Sequence, residues 1–323
     1  MSVTFSGAFT FSGGGFTATL APPSDPTASW FGGGVTSSGI ASLVSRITYA
    51  TDTATASVRG PLVAVRYRLA SAGNSNYGYF GGGNPGPTSS VQRITYATDT
   101  ATASYTGPLS LSRRQLAAAG NSNYGWFMGG ITSSVVTDTI DRIDYASDTT
   151  TASVRGPLAA GRYRTLAAFS TSSYAWYCGG ILALPTVNSN IQRIDFASDT
   201  STASIRGLLT TGLYAGAATA NPTYGWVGGG GFPGGPLANS LVNRITIASD
   251  TVNASIRGPL SANTYKLSAS GNNNYGWYAG GDNGSTSIST INRIDYGNDT
   301  VTASVRGPLS SSTYDSASSA GIQ

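Results

Sequence analysis

The chain reads as all-β: a six-bladed β-propeller of four-stranded antiparallel blades, closed by a C-terminal strand that completes the first blade. Three observations predict this. The stretch Arg142-Ile143-Asp144-Tyr145-Ala146-Ser147-Asp148-Thr149, followed by Ala152-Ser153-Val154-Arg155-Gly156-Pro157-Leu158, recurs six times; the other copies start at Arg46, Arg93, Arg193, Arg244 and Arg293. Their spacing of 47 to 51 residues is a period of arrays and propellers. An aromatic block ending in two glycines precedes every copy, as in Trp126-Phe127-Met128-Gly129-Gly130 and Trp176-Tyr177-Cys178-Gly179-Gly180. Composition points the same way. Only 10% of residues are charged, against roughly 25% in an ordinary domain, there is no Glu, and Lys266 is the one lysine. Good helix formers are therefore scarce, while Gly, Ser, Thr and Asn favour turns and strands.

Residues 1–24 stand outside the repeat. Val3 to Phe11 alternates aromatics for part of its length, residues 13 to 15 are glycine, and Pro22, Pro23 and Pro26 form a stiff link to the first repeat. This is an extended arm or an unstructured tail. As an arm, its Phe5, Phe9, Phe11 and Phe16 would dock it by adding strands to a partner's sheet edge. The propeller then spans 25–323, with blades at about 29–60 plus 313–320, 66–107, 113–156, 163–207, 213–258 and 264–307.

The 113–158 copy shows each element. Arg113 to Ala119 is a short strand, and Gly120-Asn121-Ser122-Asn123 is turn chemistry. Tyr124 to Met128 is a second strand ending in Gly129-Gly130. After a variable loop, Thr139 to Ala146 is a third strand, turned by Ser147-Asp148-Thr149. Thr151 to Gly156 is the fourth, stopped by Pro157. Four short strands in one repeat make a propeller blade, not a helical solenoid unit. At the end of the chain, Leu309 to Ala320 matches Leu260 to Gly271 and stops where a second strand would begin. The first repeat begins near that missing strand. Thr313 to Ser319 should therefore close the first blade; the competing strand is Phe16 to Ala21. Closure removes an exposed sheet edge.

This pattern resembles the kelch-type β-propeller, in which the second strand ends in Gly-Gly after aromatics and the third in an acidic turn. The resemblance covers about residues 29 to 320. It departs from kelch in one respect: the Trp usual in the fourth strand is replaced by Ala-Ser-Val-Arg-Gly, and Trp stands in the second strand of five blades. The repeat wording also looks like repeat proteins encoded by tailed marine phages, cyanophages among them. The Asp-Thr turn is similar to the Asp-box of sialidase-like propellers, without its aromatic and glycine.

Arg46, Arg93, Arg142, Arg193, Arg244 and Arg293 sit on blade faces that neighbouring blades cover, so each needs a partner. Asp52, Asp99, Asp148, Asp199, Asp250 and Asp299 match them in number. Arg–Asp or Arg–carbonyl forks within and between blades are expected, because the guanidinium plane suits bidentate bonds. Arg59, Arg155, Arg206, Arg257 and Arg306 follow in the fourth strand, with Thr106 in the sixth place.

The formal excess of +4 is mostly repeat-locked arginine, which does not form the one-sided basic footprint of nucleic-acid binders. A lone Cys178 gives neither a disulfide framework nor a cysteine zinc site. No apolar run approaches the about eighteen residues of a membrane span, and no signal peptide is visible. Asp282-Asn283 is the nearest thing to a calcium loop, which would want several oxygen ligands; no metal or cofactor is expected. Absence of histidine removes the commonest general base, and the copper ligands of kelch-type oxidases with it. Asp25, Asp138, Asp141, Asp282 and Asp315 make no obvious acid–base pair. The expectation is therefore no enzyme.

Surfaces remain. The loops after Gly-Gly vary most and share a face with the connectors between blades. Arg66, Arg68, Arg113, Arg114, Arg162 and Arg164 give that face a lopsided basic side, and Phe232 is the only aromatic of those loops. Variable loops on a rigid scaffold either bind or drift unconstrained. The phage resemblance implies a virion component, a tail adhesin or capsid or tail decoration, whose partners are other virion proteins. A module for a cell-surface glycan or receptor, or a general protein-interaction propeller, is the alternative.

Overall fold

The computed structural model describes residues 10–12, 15–17, 25–164, 167–183, 186–232, 234 and 237–320. Phe5 and Phe9 of the expected arm lie outside the described residues. Thr10–Ser12 and Gly15–Thr17 form a two-stranded sheet that sets Phe11 opposite Phe16.

Six four-stranded antiparallel sheets follow; in five the strands run in chain order from the axis outward, and in blade 1 the innermost strand is Ala317–Ala320. In blade 3 these are Ala117–Gly120, Tyr124–Met128, Ile140–Asp144 and Ser153–Val154, in a register that sets Trp126 beside Arg142 and Arg142 beside Ser153. The first strand is built of alanine and glycine because the six first strands circle the axis, each packed beside the next, with the sixth beside the first. Asn121 turns the chain into the second strand by accepting the amides of Asn123 and Tyr124 on its Oδ1. Gly125 has no Cβ because the Tyr145 hydroxyl lies where one would point. The third strand stops at Asp144, two residues earlier than expected. There the Asp144 carboxylate accepts the Ala146 amide and winds Tyr145–Ser147 into one 3-10 turn. Such turns, one per blade, are the only helical residues among those described.

The ring closes as expected. Ala317–Ala320 pairs with Ala28–Gly32, which continues to Val44–Thr48 and Ser57–Arg59, so the two ends of the propeller share blade 1. The place of the closing strand is thus taken by Ala317–Ala320; of the competing Phe16 to Ala21, residues 18–21 lie outside the described residues.

The core lies between blades rather than within them. Trp126, Met128 and Ala117 of blade 3 meet Ala175, Tyr177 and Ile194 of blade 4, and an equivalent apolar cluster fills each of the six interfaces. The repeat motif stitches these interfaces. Gly156 donates its amide to the Asp199 carbonyl of the next blade at 2.8 Å, and Ala203 returns one to the Pro157 carbonyl at 2.9 Å. Those two bonds draw the chain out of sheet pairing, so the fourth strand is shorter than the sequence suggested.

The arginines and aspartates complete the stitch, and here the geometry differs from the expected forks. Each Arg reaches the Asp of the following blade through one guanidinium nitrogen: Arg46 to Asp99, Arg93 to Asp148, Arg142 to Asp199, Arg193 to Asp250, Arg244 to Asp299 and Arg293 to Asp52, at 2.7–3.1 Å. The carboxylate is shared. Its Oδ2 also accepts a bond from the second-strand aromatic of the same preceding blade, as from Trp126 Nε1 to Asp199 at 2.9 Å and Tyr79 OH to Asp148 at 2.8 Å. Fourth-strand arginines add a further contact, such as Arg155 Nε to Asp199 at 3.6 Å. In five of the six, Arg46 excepted, the guanidinium also lies over a tyrosine, as with Arg142 4.3 Å from the Tyr124 ring centre.

Candidate functional site

The sequence's six connector arginines fall in one repeated three-residue segment that runs from the fourth strand of one blade towards the first strand of the next. It reads Arg66-Tyr67-Arg68, Arg113-Arg114-Gln115, Arg162-Tyr163-Arg164, Leu213-Tyr214-Ala215, Thr264-Tyr265-Lys266 and Thr313-Tyr314-Asp315. The middle residue pairs with the chain just after Gly-Gly: Tyr67 with Asn84, Tyr214 with Gly231, Tyr265 with Asp282. Connectors and second-to-third-strand loops therefore share one face. The Gly-Gly pair permits this pairing; a Cβ on Gly83 would sit 2.8 Å from the Tyr67 carbonyl, and its φ is +101°.

Position one of the segment points into the ring. Arg113 is fully buried and donates to the carbonyls of Gly129, Thr139 and Phe127 and to Asp141 Oδ2 at 2.7 Å. Burial pulls its pKa down, against the pull of Asp141. Arg162, also buried, donates to the Gly179 and Asn190 carbonyls. These two arginines hold loops in place and are not on the binding face where the sequence put them. Arg66 is half-buried and donates to Ser90 Oγ at 3.1 Å. Arg114, a middle residue, is half-buried. Phe232 is not a free platform either, since it packs on the cluster containing Trp176 and Val227.

Position three forms a ring at the mouth of the axis. Arg68, Gln115, Arg164, Ala215, Lys266 and Asp315 have φ between 53° and 57°, and they are the only non-glycine residues of positive φ among those described. Left-handed backbone costs about 1–2 kcal/mol per L-residue. It is held by bonds from blade to blade: Arg68 donates its amide to the Asp315 carbonyl, Gln115 to Arg68, Ala215 to Arg164, Lys266 to Ala215 and Asp315 to Lys266, at 2.7–2.9 Å. One backbone frame thus carries six side chains of different chemistry.

With Tyr214 these residues line a small open cup. Arg68 Nε meets Asp315 Oδ2 at 3.1 Å. Lys266 Nζ lies 3.2 Å from the Tyr265 hydroxyl and 3.9 Å from Asp282 Oδ2, over the rings of Tyr265 and Tyr314. Asp282 is thereby engaged, and its Oδ1 accepts the Gly284 amide. Arg164 lies over the Tyr214 ring at 5.8 Å, and among the described residues no carboxylate pairs with it. Burial pushes the Asp315 carboxyl up, while Arg68, Lys266 and Arg164 pull it back. Three cations thus face two carboxylates, Asp315 within the ring and Asp282 beside Lys266. A second cavity lies among the Leu, Ala and Ser side chains of the first strands, Leu69, Leu116 and Leu267 among them.

Sequence reasoning found Arg68 and Arg164 but missed Gln115, Tyr214, Lys266 and Asp315 as their neighbours. The signal was present: aligning the six segments shows one position that changes chemistry in nearly every copy. Elsewhere, Cys178 is buried, and burial raises its thiol to about 12. No group of three or more His, Cys or acidic residues disposed to hold a metal occurs among the described residues, and no helix is long and apolar enough to cross a membrane.

No protein-family model matches the chain, and no curated protein matches it. Solved structures do: 473 chains share its architecture. One, described as the structure of YjhT, superposes with a TM-score of 0.71 at 12% identity, covering 88% of this chain and 95% of that one. At that identity the likeness shows the fold alone. It does overturn the expectation of no enzyme, because the propeller shared with YjhT is an architecture that serves catalysis as well as binding. The missing histidine does not decide between them. What fold and comparison establish together is a six-bladed β-propeller, a scaffold suited to binding and interaction.

Proposed function

We propose that the chain is a binding module that works through its loop face, with the axial cup as the recognition site for a cell-surface glycan or receptor. One observation carries this reading. The inter-blade residues are nearly identical in all six repeats, whereas the ring position at the cup keeps its backbone and varies its side chain. A position held in shape but varied in chemistry suits selection for a ligand rather than for folding. The test is a glycan array probed with the wild-type chain and with Arg164→Ala/Lys266→Ala. Binding by the wild type that the double variant loses, at unchanged Tm, supports the reading; equal binding by both removes the cup from it.

The kelch-like and phage-like wording of the repeat supports a location on a phage particle, with residues 1–24 as the docking arm to other virion proteins. Deleting 1–24 should leave the ring folded and abolish incorporation into particles. Normal incorporation of the truncated chain would remove the arm from this role. Absence of the full chain from purified particles would remove the virion location and leave the binding reading standing.

A further inference from the structure

We propose that the axial cup takes a small anionic ligand, one carboxylate or phosphate group held between Arg164, Lys266 and Arg68; this deepens the binding reading and rests on it. Three cationic side chains, Arg68, Arg164 and Lys266, converge on a small open cup whose room admits one anionic group at its mouth rather than a whole enclosed ligand. Only Arg68 has a close carboxylate partner within the ring, Asp315. Lys266 reaches Asp282 at the long distance of 3.9 Å. Arg164 lies over the face of Tyr214 and bears on the Asp315 carboxyl from a distance, with no ion pair among the described residues. The cup therefore carries an excess of positive charge in a recess walled by tyrosine rings, where an anion gains more than it would on an open surface.

The site is also preformed. The ring of blade-to-blade backbone bonds fixes the Cα positions of all six residues, so little ordering remains to oppose binding. Arg164 offers a planar donor fork for two oxygens of one group. Gln115 adds an amide that hydrogen-bonds without charge. Tyr214 gives the body of the ligand a flat apolar surface beside its charged end.

Calorimetric titration of the full chain with glucuronate, inorganic phosphate and glucose tests this. One saturable site per chain for glucuronate or phosphate, weakened by added salt and absent for glucose, is the expected result. The tighter of the two anions identifies the group. Arg164→Ala should weaken it about tenfold, the loss of one charge-assisted contact. Arg164→Gln should weaken it less, and Arg114→Ala, off the cup, should leave it unchanged. Tm of each variant shows that the ring is intact. Saturation by neither anion, equal binding of glucose, or an unchanged affinity in Arg164→Ala overturns the proposal. If neither anion binds while the array shows neutral glycans held at the cup, the anion inference falls and the binding reading stands. If array and titration are both blank, both fall.

Discussion

Asp199 takes donors from three side chains of the preceding blade: Trp126, Arg142 and, more distantly, Arg155. Removing the shared acceptor strands both a buried indole N–H and a guanidinium. Removing one donor leaves the carboxylate partly satisfied. Asp199→Ala should therefore cost about 3–5 kcal/mol, and Arg142→Met about 1–3 kcal/mol, both read from urea unfolding. Equal losses would show that the carboxylate is not the hub. A second residue shows the same interface logic in apolar terms. Trp126 stacks on Phe196 of the next blade with ring centres 3.8 Å apart, as Trp226 does on Tyr296. At the fourth interface the next blade offers Ile247 instead, and Phe169 from the first strand stacks on Trp176 at 5.1 Å. The position of Phe169 is Ala119 in blade 3. Phe169→Ala should cost about 3 kcal/mol through the cavity left behind, and adding Ile247→Phe should recover part of it. No recovery in the double variant would separate the two residues.

At the scale of the element, the fourth strand and its Arg-Gly-Pro end act as a clasp rather than as sheet. A Cβ on Gly156 would run into the Ser201 carbonyl of the next blade, and the same holds for Gly60, Gly107, Gly258 and Gly307 against their neighbours. These are backbone collisions, which no side-chain movement relieves. Gly297 is the opposite case. Its ideal Cβ meets only Asp295 Oδ1 at 3.3 Å, its φ is ordinary, and the other five repeats carry Ala there. Gly156→Ala should lower Tm steeply, while Gly297→Ala should be neutral or raise stability by about 0.5 kcal/mol, since it trims the freedom of the unfolded chain. A tolerated Gly156→Ala would show that the clasp is looser than its contacts. The third strand's early stop is capped in blades 3, 4 and 6 by an Asp two residues before the amide it accepts, whereas the Thr at that place in the other three blades makes no such bond and the same 3-10 turn still forms. The periodic Ile-Asp-Tyr wording read as strand because alternation alone does not mark where a side chain captures the backbone.

Over the whole molecule, stability rests on six aromatic interfaces, and this sets its response to alkali. Tyr49 is fully buried and its hydroxyl is pushed from 10.0 up to about 12, first by burial. Burial raises Tyr79, Tyr96 and Tyr278 as well. A folded pKa above the unfolded one gives stability that is fully present below about pH 10 and is lost as pH rises through about 12. Phenolate absorbance of the interface tyrosines should therefore rise only together with loss of the circular dichroism signal. A single stage near pH 10 without unfolding would contradict the packing described. The fold was legible because the repeat states it six times and the chain's last segment repeats the start of a blade. The cup was legible only in part. Arg113 and Arg114 are adjacent and chemically identical, yet one is sealed beneath a loop and the other half-buried on the face.

The sequence by itself determined the number of blades, the four strands of each, the closing strand, and the need for every repeated arginine to find an acid. These follow from local periodicity, turn chemistry and the cost of a buried charge. Only the tertiary structure decided which acid each arginine meets, and it is always that of the next blade. It also decided which connector arginines reach the cup. Both turn on approaches across blade boundaries and on a left-handed residue that redirects its side chain towards the axis. Neither the distance between blades nor that turn of the backbone is written in the spacing of residues along the chain.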